Sequence, residues 1–274
     1  SPSLPAETSI ARCFATRWID LADPSEPRRQ APALVLIGTN GTDAGIWAQL
    51  SNDLHEVCRV VPVDLPGHGT AALAPGPGRM GALIANVEAA LDEAGLRDAV
   101  VLGHGVGGLV AQGLAIKRLD LVRGLILSAT AARIGFSGHW TRLAEDLRQS
   151  GAEALVSIAQ ASWMPKGADP TPAIRMIRAQ DPEGMASVAE AAAGCDFYTT
   201  TASLRLPMLA IVGALDRATP PDLVQETAAL VPDSQAHLIA AAGHLAMLDQ
   251  PGAYAKAVRG FLDRIGHTAP RTFP

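Results

Sequence analysis

Lysine, cysteine, charge and long apolar runs are all scarce in this sequence, and each shortage excludes something. Lysine occurs three times in 274 residues, no basic block is present, and the formal net charge is −5. Nucleic acid is therefore an unfavourable partner, because phosphate binding depends on clustered cations. The three cysteines, Cys13, Cys58 and Cys195, lie far apart and follow no metal or redox spacing, so buried thiols in a reducing compartment are expected. No apolar run reaches the roughly 18 residues of a membrane span. The opening SPSLPAETSI lacks the charged-then-apolar order of a signal peptide, which makes a cytoplasmic location the expectation. Neither G-x-x-x-x-G-K nor H-E-x-x-H occurs, so no metal, nucleotide or other cofactor is expected and the partner is a small molecule.

What is abundant is apolar material: hydrophobic residues make up 48% of the chain and charged residues 18%, enough for a large buried core. Short apolar runs recur at 33–38 (ALVLIG), 57–65 (VCRVVPVDL), 99–103 (AVVLG), 121–129 (LVRGLILSA), 207–213 (PMLAIVG) and 236–244 (AHLIAAAGH). They lack polar alternation, as strands covered on both faces do. Helical patterns run from about Met80 to Ala94 and from Val106 to Lys117. This alternation predicts an α/β fold, a mostly parallel sheet with helices on both faces. A segment from Ile10 to Asp20 is expected to add an antiparallel edge hairpin. Between Ala129 and Ser203 no strand pattern occurs, and Pro–Gly breaks such as MPKGADPTP (164–172) separate helical stretches. The expected organisation is a core of 1–129 and 204–274 with a helical cap, 130–203, over the carboxyl ends of the strands.

The chemistry-bearing stretch is VLGHGVGGLV (101–110). It nearly spells G-x-S-x-G, the strand–turn–helix motif that holds a nucleophilic serine at its tip, but the tip is Gly105. The other members of such a triad follow in the required order. Asp216 lies in GALDRATPP after one predicted strand, and His244 lies in AAGHLAMLDQP after the next. Asp216 would orient His244 as a general base facing position 105. Oxyanion donors would be the N–H of Val106 and that of Asn40 or Thr39 in the loop GTNGTDAGIW. DLPGHGT (64–70) makes His68 a structural loop residue, and His104 is expected to pack beside the turn.

These elements resemble the α/β-hydrolase fold, and in pattern the 3-oxoadipate enol-lactonase group over nearly the whole length. NGTDAGIW (40–47) resembles that group's S-L-G-T-D-x-x-x-W loop. SATAARIG (128–135), followed by Trp140, resembles N-T-A-A-K-I-G and its Trp, and DPEGMASVAEAAAGCDF (181–197) resembles its D-P-E-G-Y segment. The resemblance implies lactone or ester hydrolysis, with Asp216 and His244 as acid and base and Val106 and Asn40 as oxyanion donors. Many relatives begin the oxyanion loop with His-Gly, where this chain has Gly38-Thr39. Arg133 stands where the enol-lactonases have Lys and is a candidate for a substrate carboxylate; Trp140, Trp163, Met164 and Tyr198 are candidate pocket walls.

Glycine at the tip excludes a covalent serine step and leaves three readings. The chain is a disabled hydrolase. Or it is an enzyme in which His244 activates a water in the vacated space, or takes a substrate proton for isomerisation, cyclisation, elimination or C–C cleavage. Or it is a non-catalytic ligand-binding protein.

Overall fold

A computed structural model describes residues 31–269; the expected edge hairpin at Ile10–Asp20 lies outside them. The strands are β1 (Ala33–Ile37), β2 (Arg59–Val63), β3 (Ala99–His104), β4 (Val122–Ser128), β5 (Met208–Gly213) and β6 (Gln235–Ile239). They form one six-stranded sheet in the order β2-β1-β3-β4-β5-β6, and every pairing is parallel. Side chains alternate between two cores: Leu34, Leu36, Val100 and Leu102 enter one, and Val35, Ile37, Ala99 and Val101 enter the other. The outer strand β6 departs from expectation, because Gln235–Leu238 are exposed and only Ile239 is buried.

Helices follow the strands as α1 (Ala48–Leu54), α2 (Met80–Glu93), α3 (Val106–Lys117), α9 (Pro221–Ala229), α10 (Ala246–Asp249) and α11 (Pro251–Arg264). Between β4 and β5 come five helices and no strand: α4 (Ser137–Ser150), α5 (Glu153–Ser162), α6 (Thr171–Ala179), α7 (Pro182–Ala193) and α8 (Tyr198–Ala202). The MPKGADPTP break separates α5 from α6, and Asp181 caps α7 by accepting from Glu183 N–H, with Pro182 at the first position. Among the described residues no helix is long and apolar enough to cross a membrane.

The chain leaves β1 toward β2 on one side and reaches β3 on the other, so the sheet order reverses between β1 and β3. In a parallel sheet such a reversal opens a crevice at the carboxyl ends. Here those ends carry the loop 38–47 and Gly105. α3 starts hard against β1: a Cβ on Gly107 would lie 2.3 Å from Gly38 O, so only glycine permits this approach.

The helical insertion is tied to the same loops by buried polar contacts. Asn40 Nδ2 donates to Met185 O at the start of α7 (3.0 Å). Gln180 accepts from Gly69 N–H (2.8 Å) and donates to Asp43 Oδ2 (2.9 Å). His68, fully buried, donates from Nδ1 to Pro66 O (3.1 Å) and accepts Gly41 N–H on Nε2 (3.0 Å). Nε2 also lies 3.1 Å from Asn40 Oδ1, and burial holds the His68 pKa down to about 4, so the ring stays neutral.

Two expectations follow. Gly107→Ala destabilises the fold by about 3 kcal/mol or more, read in chemical denaturation, because backbone must move to admit the methyl. His68 binds its proton more readily in the unfolded chain, so its contribution is complete above pH 6.5 and is lost as pH falls toward 4. The stability gap between the parent and His68→Gln should therefore shrink by about 3 kcal/mol across that window, measured by denaturation at each pH.

Candidate active site

β3 ends at His104 and α3 begins at Val106, so a single residue makes the turn. Gly105 does so at φ +53°, ψ −120°, a conformation that costs a non-glycine residue on the order of 1–3 kcal/mol. The turn is pinned on three sides. Gly105 N–H donates to Ser128 O (2.9 Å), and Gly105 O accepts from Gly108 N–H (2.9 Å) and from the Thr130 hydroxyl (2.7 Å).

Asp216 and His244 are brought together from the loops after β5 and β6. His244 Nδ1 donates to Asp216 Oδ2 at 2.9 Å, and the carboxylate side chain is wholly buried. Its other oxygen, Oδ1, accepts from Ala218 N–H (2.8 Å) and Thr219 N–H (2.9 Å), so both lone-pair sets are used. His244 N–H is anchored on Trp163 O (2.7 Å), and its ring centroid lies 5.1 Å from that of Trp163 and 4.8 Å from that of His104. With Nδ1 committed to Asp216, Nε2 is left as the acceptor available for a proton.

Ser128 and Tyr254 extend this cluster and carry no sequence signal. Tyr254 OH donates to Ser128 Oγ (2.8 Å), which lies 3.0 Å from His104 Nδ1. His104 is fully buried, and its Nε2 has no partner among the described residues. Burial first, and the neighbouring His244 second, hold its pKa well below the ordinary value, so it stays neutral.

The oxyanion candidates need two corrections. The Thr39 N–H is spent within its own loop on Thr42 Oγ1 (3.0 Å), while Thr39 O accepts from Thr42, so Thr39 offers no main-chain donor. Gly41 N–H is spent on His68, which leaves Asn40 N–H as the donor outside the loop's own bonds. The Val106 N–H, in turn, donates to Thr39 Oγ1 (3.2 Å). The second correction concerns the space expected to be vacant at residue 105. A Cβ on Gly105 would lie 2.2 Å from Thr39 Oγ1 and 2.7 Å from Thr39 Cβ, so Thr39 fills the place of the missing side chain.

The wall candidates divide. Trp163 is buried against His244, and Met164 lines a pocket of about 270 Å³ with Gln160, Pro165, Lys166 and Arg217. Trp140 is turned inward, its Nε1 donating to Ile134 O. Arg133 is about half exposed and pairs with Asp196 (3.3 Å) over the Tyr198 ring, whose OH donates to Glu226 (2.8 Å). Those two form a surface cluster, because their polar ends are already matched there.

Comparison with known proteins gives the same lineage. The 3-oxoadipate enol-lactonase 2 of Acinetobacter baylyi is 29% identical over 239 residues, 85% of this chain and 89% of that protein. The pimeloyl-[acyl-carrier protein] methyl ester esterase of Vibrio cholerae is 25% identical over 249 residues, 86% and 96%. The crystal structure of the enol-lactonase from Burkholderia xenovorans LB400 superposes with a TM-score of 0.79 at 30% identity, covering 85% of this chain and 92% of that one. The model of the alpha/beta hydrolase family matches residues 34–257, and with the parallel sheet and the strand–Gly105–helix turn it establishes that this chain belongs to the α/β-hydrolase family.

Proposed function

We propose that this chain is an enzyme that hydrolyses a lactone or ester without a covalent intermediate on residue 105, using His244, held by Asp216, as general base. The observation that carries this reading is the buried His244–Asp216 pair at 2.9 Å beside a turn that has no side chain. Burying a carboxylate and an imidazole together adds little stability by itself, so its place in the site points to chemistry. The relatives named as enol-lactonase and methyl ester esterase support the substrate class.

A water on His244 Nε2 gives up a proton as its oxygen attacks the substrate carbonyl carbon. The carbonyl π pair moves onto oxygen, the scissile C–O bond then breaks, and the proton on Nε2 passes to the leaving oxygen. The water sits on the substrate side of His244, since Thr39 fills the elbow. The helices between β4 and β5 act as the cap, tied down through Asn40 and Gln180, and Trp163 presses His244 into position.

Thr39 also speaks against a disabled serine enzyme. Rotating the Thr39 side chain moves its Oγ1 but not its Cβ, and the 2.7 Å approach of that Cβ to any Cβ at 105 is relieved only by main-chain movement. The chain is packed around glycine at this position.

The test is the hydrolysis of 4-nitrophenyl acetate and α-angelica lactone, an enol-lactone, with intact-protein mass recorded during turnover. His244→Ala is expected to lower the rate by about 10²–10⁴-fold. Asp216→Asn should lower it comparably, because the imidazole loses its tautomeric anchor. The parent should show no acyl adduct and no burst. Undiminished activity of His244→Ala, or ligand binding without turnover, would favour a non-catalytic binding protein.

A further inference from the structure

The Thr39 hydroxyl has one bond made and one unspent. Its oxygen accepts Val106 N–H at 3.2 Å, and its own proton has no acceptor among the described residues, although Thr39 is 96% buried by its 4% exposure. A buried hydroxyl normally finds an acceptor for its proton, so an open one marks a place where another oxygen belongs. The hydroxyl stands 2.2 Å from where a Cβ on Gly105 would be, at the tip of the elbow. In the next residue, Asn40 N–H is free of the loop's own bonds, and His244 Nε2 is free of Asp216.

We infer that Thr39 is a catalytic residue whose hydroxyl, rather than the Val106 N–H directly, donates the hydrogen bond that stabilises the substrate oxyanion. The inference rests on the hydrolytic reading above. Val106 N–H donates to Thr39 Oγ1, which polarises the hydroxyl and strengthens its donation to the carbonyl oxygen. As water attacks, negative charge collects on that oxygen between the Thr39 O–H and the Asn40 N–H, while the water proton goes to His244 Nε2. The Thr39 proton is shared with the oxyanion and not transferred, so no bond to Thr39 forms or breaks. Glycine at 105 and a hydroxyl at 39 become one feature: the absence of a side chain at the turn admits the hydroxyl that takes the donor position.

Thr39→Val keeps the shape that packs on Gly105 and removes only the donor; Thr39→Ser keeps the donor. On 4-nitrophenyl acetate and α-angelica lactone, Thr39→Val should lower kcat by about 10²–10³-fold with little change in KM, the size of losing one oxyanion donor. Thr39→Ser should stay within about tenfold of the parent. A second measurement needs no substrate. Gly105→Ala should lower the melting temperature much more with Thr39 present than in a Thr39→Gly background, where the Cβ contact is gone.

Parental kcat in Thr39→Val, with His244→Ala inactive, overturns the donor role and leaves the hydrolytic reading standing. Faster turnover by Thr39→Gly makes the hydroxyl a block, and an acyl adduct on Thr39 makes it a nucleophile; either overturns the inference. Equal melting losses in the two backgrounds overturn the occupancy on which it is built. Turnover that does not depend on His244 sinks the hydrolytic reading and the donor role with it.

Discussion

The structure turns on how closely the end of β1 approaches the start of α3. Gly107 lies where a methyl group would meet Gly38 O at 2.3 Å, and Gly105 where one would meet Thr39 at 2.2 Å. A helix that began further from the sheet would leave its first N–H groups directed at solvent. Here the first of them, on Val106, reaches the Thr39 hydroxyl of the loop after β1. Because the sheet order reverses between these same two strands, this contact also defines the floor of the crevice.

Around that floor the polar groups are arranged so that burial is compensated where charge must persist and uncompensated where it must not. Asp216 gives up water but receives three donors, His244 Nδ1 and the N–H groups of Ala218 and Thr219. A buried carboxylate is tolerable only with such partners. His104 receives one neighbour on Nδ1 and none on Nε2, and burial keeps it neutral beside His244. A cation there would oppose proton uptake by His244. The helical insertion adds no charge to this cluster. Its exposed pairs, such as Arg148 with Glu183 and Glu190, join α4 to α7 at the surface, where ion pairs contribute little.

The insertion's contribution is geometric. Trp163 supplies both a carbonyl to His244 N–H and a ring to its face, and Asn40 is locked to α7 through Met185 O. His244 and the loop after β1 are thus each fixed by a residue of the segment between β4 and β5, so the core does not position them alone.

The sequence by itself determined the local features. Unbroken β-branched and leucine runs specify strands covered on both faces, the G-x-G-x-G pattern specifies a tight turn into a helix, and the order Gly105, Asp216, His244 specifies which loops matter. These are properties of neighbouring residues, and they are written in short stretches. β6 forms where the apolar run predicts a strand, but residues 235–238 are exposed because they lie on an outer strand, and exposure is decided by what packs alongside. The tertiary structure alone decided the partners of Thr39, Ser128 and Tyr254. Thr39 and Val106 are 67 positions apart, and Tyr254 and Ser128 are 126 apart. It also sent Arg133 to Asp196 and Tyr198. Hydroxyls and guanidinium groups have no fixed meaning in a sequence, because each takes the role of whichever donor or acceptor the fold brings within about 3 Å.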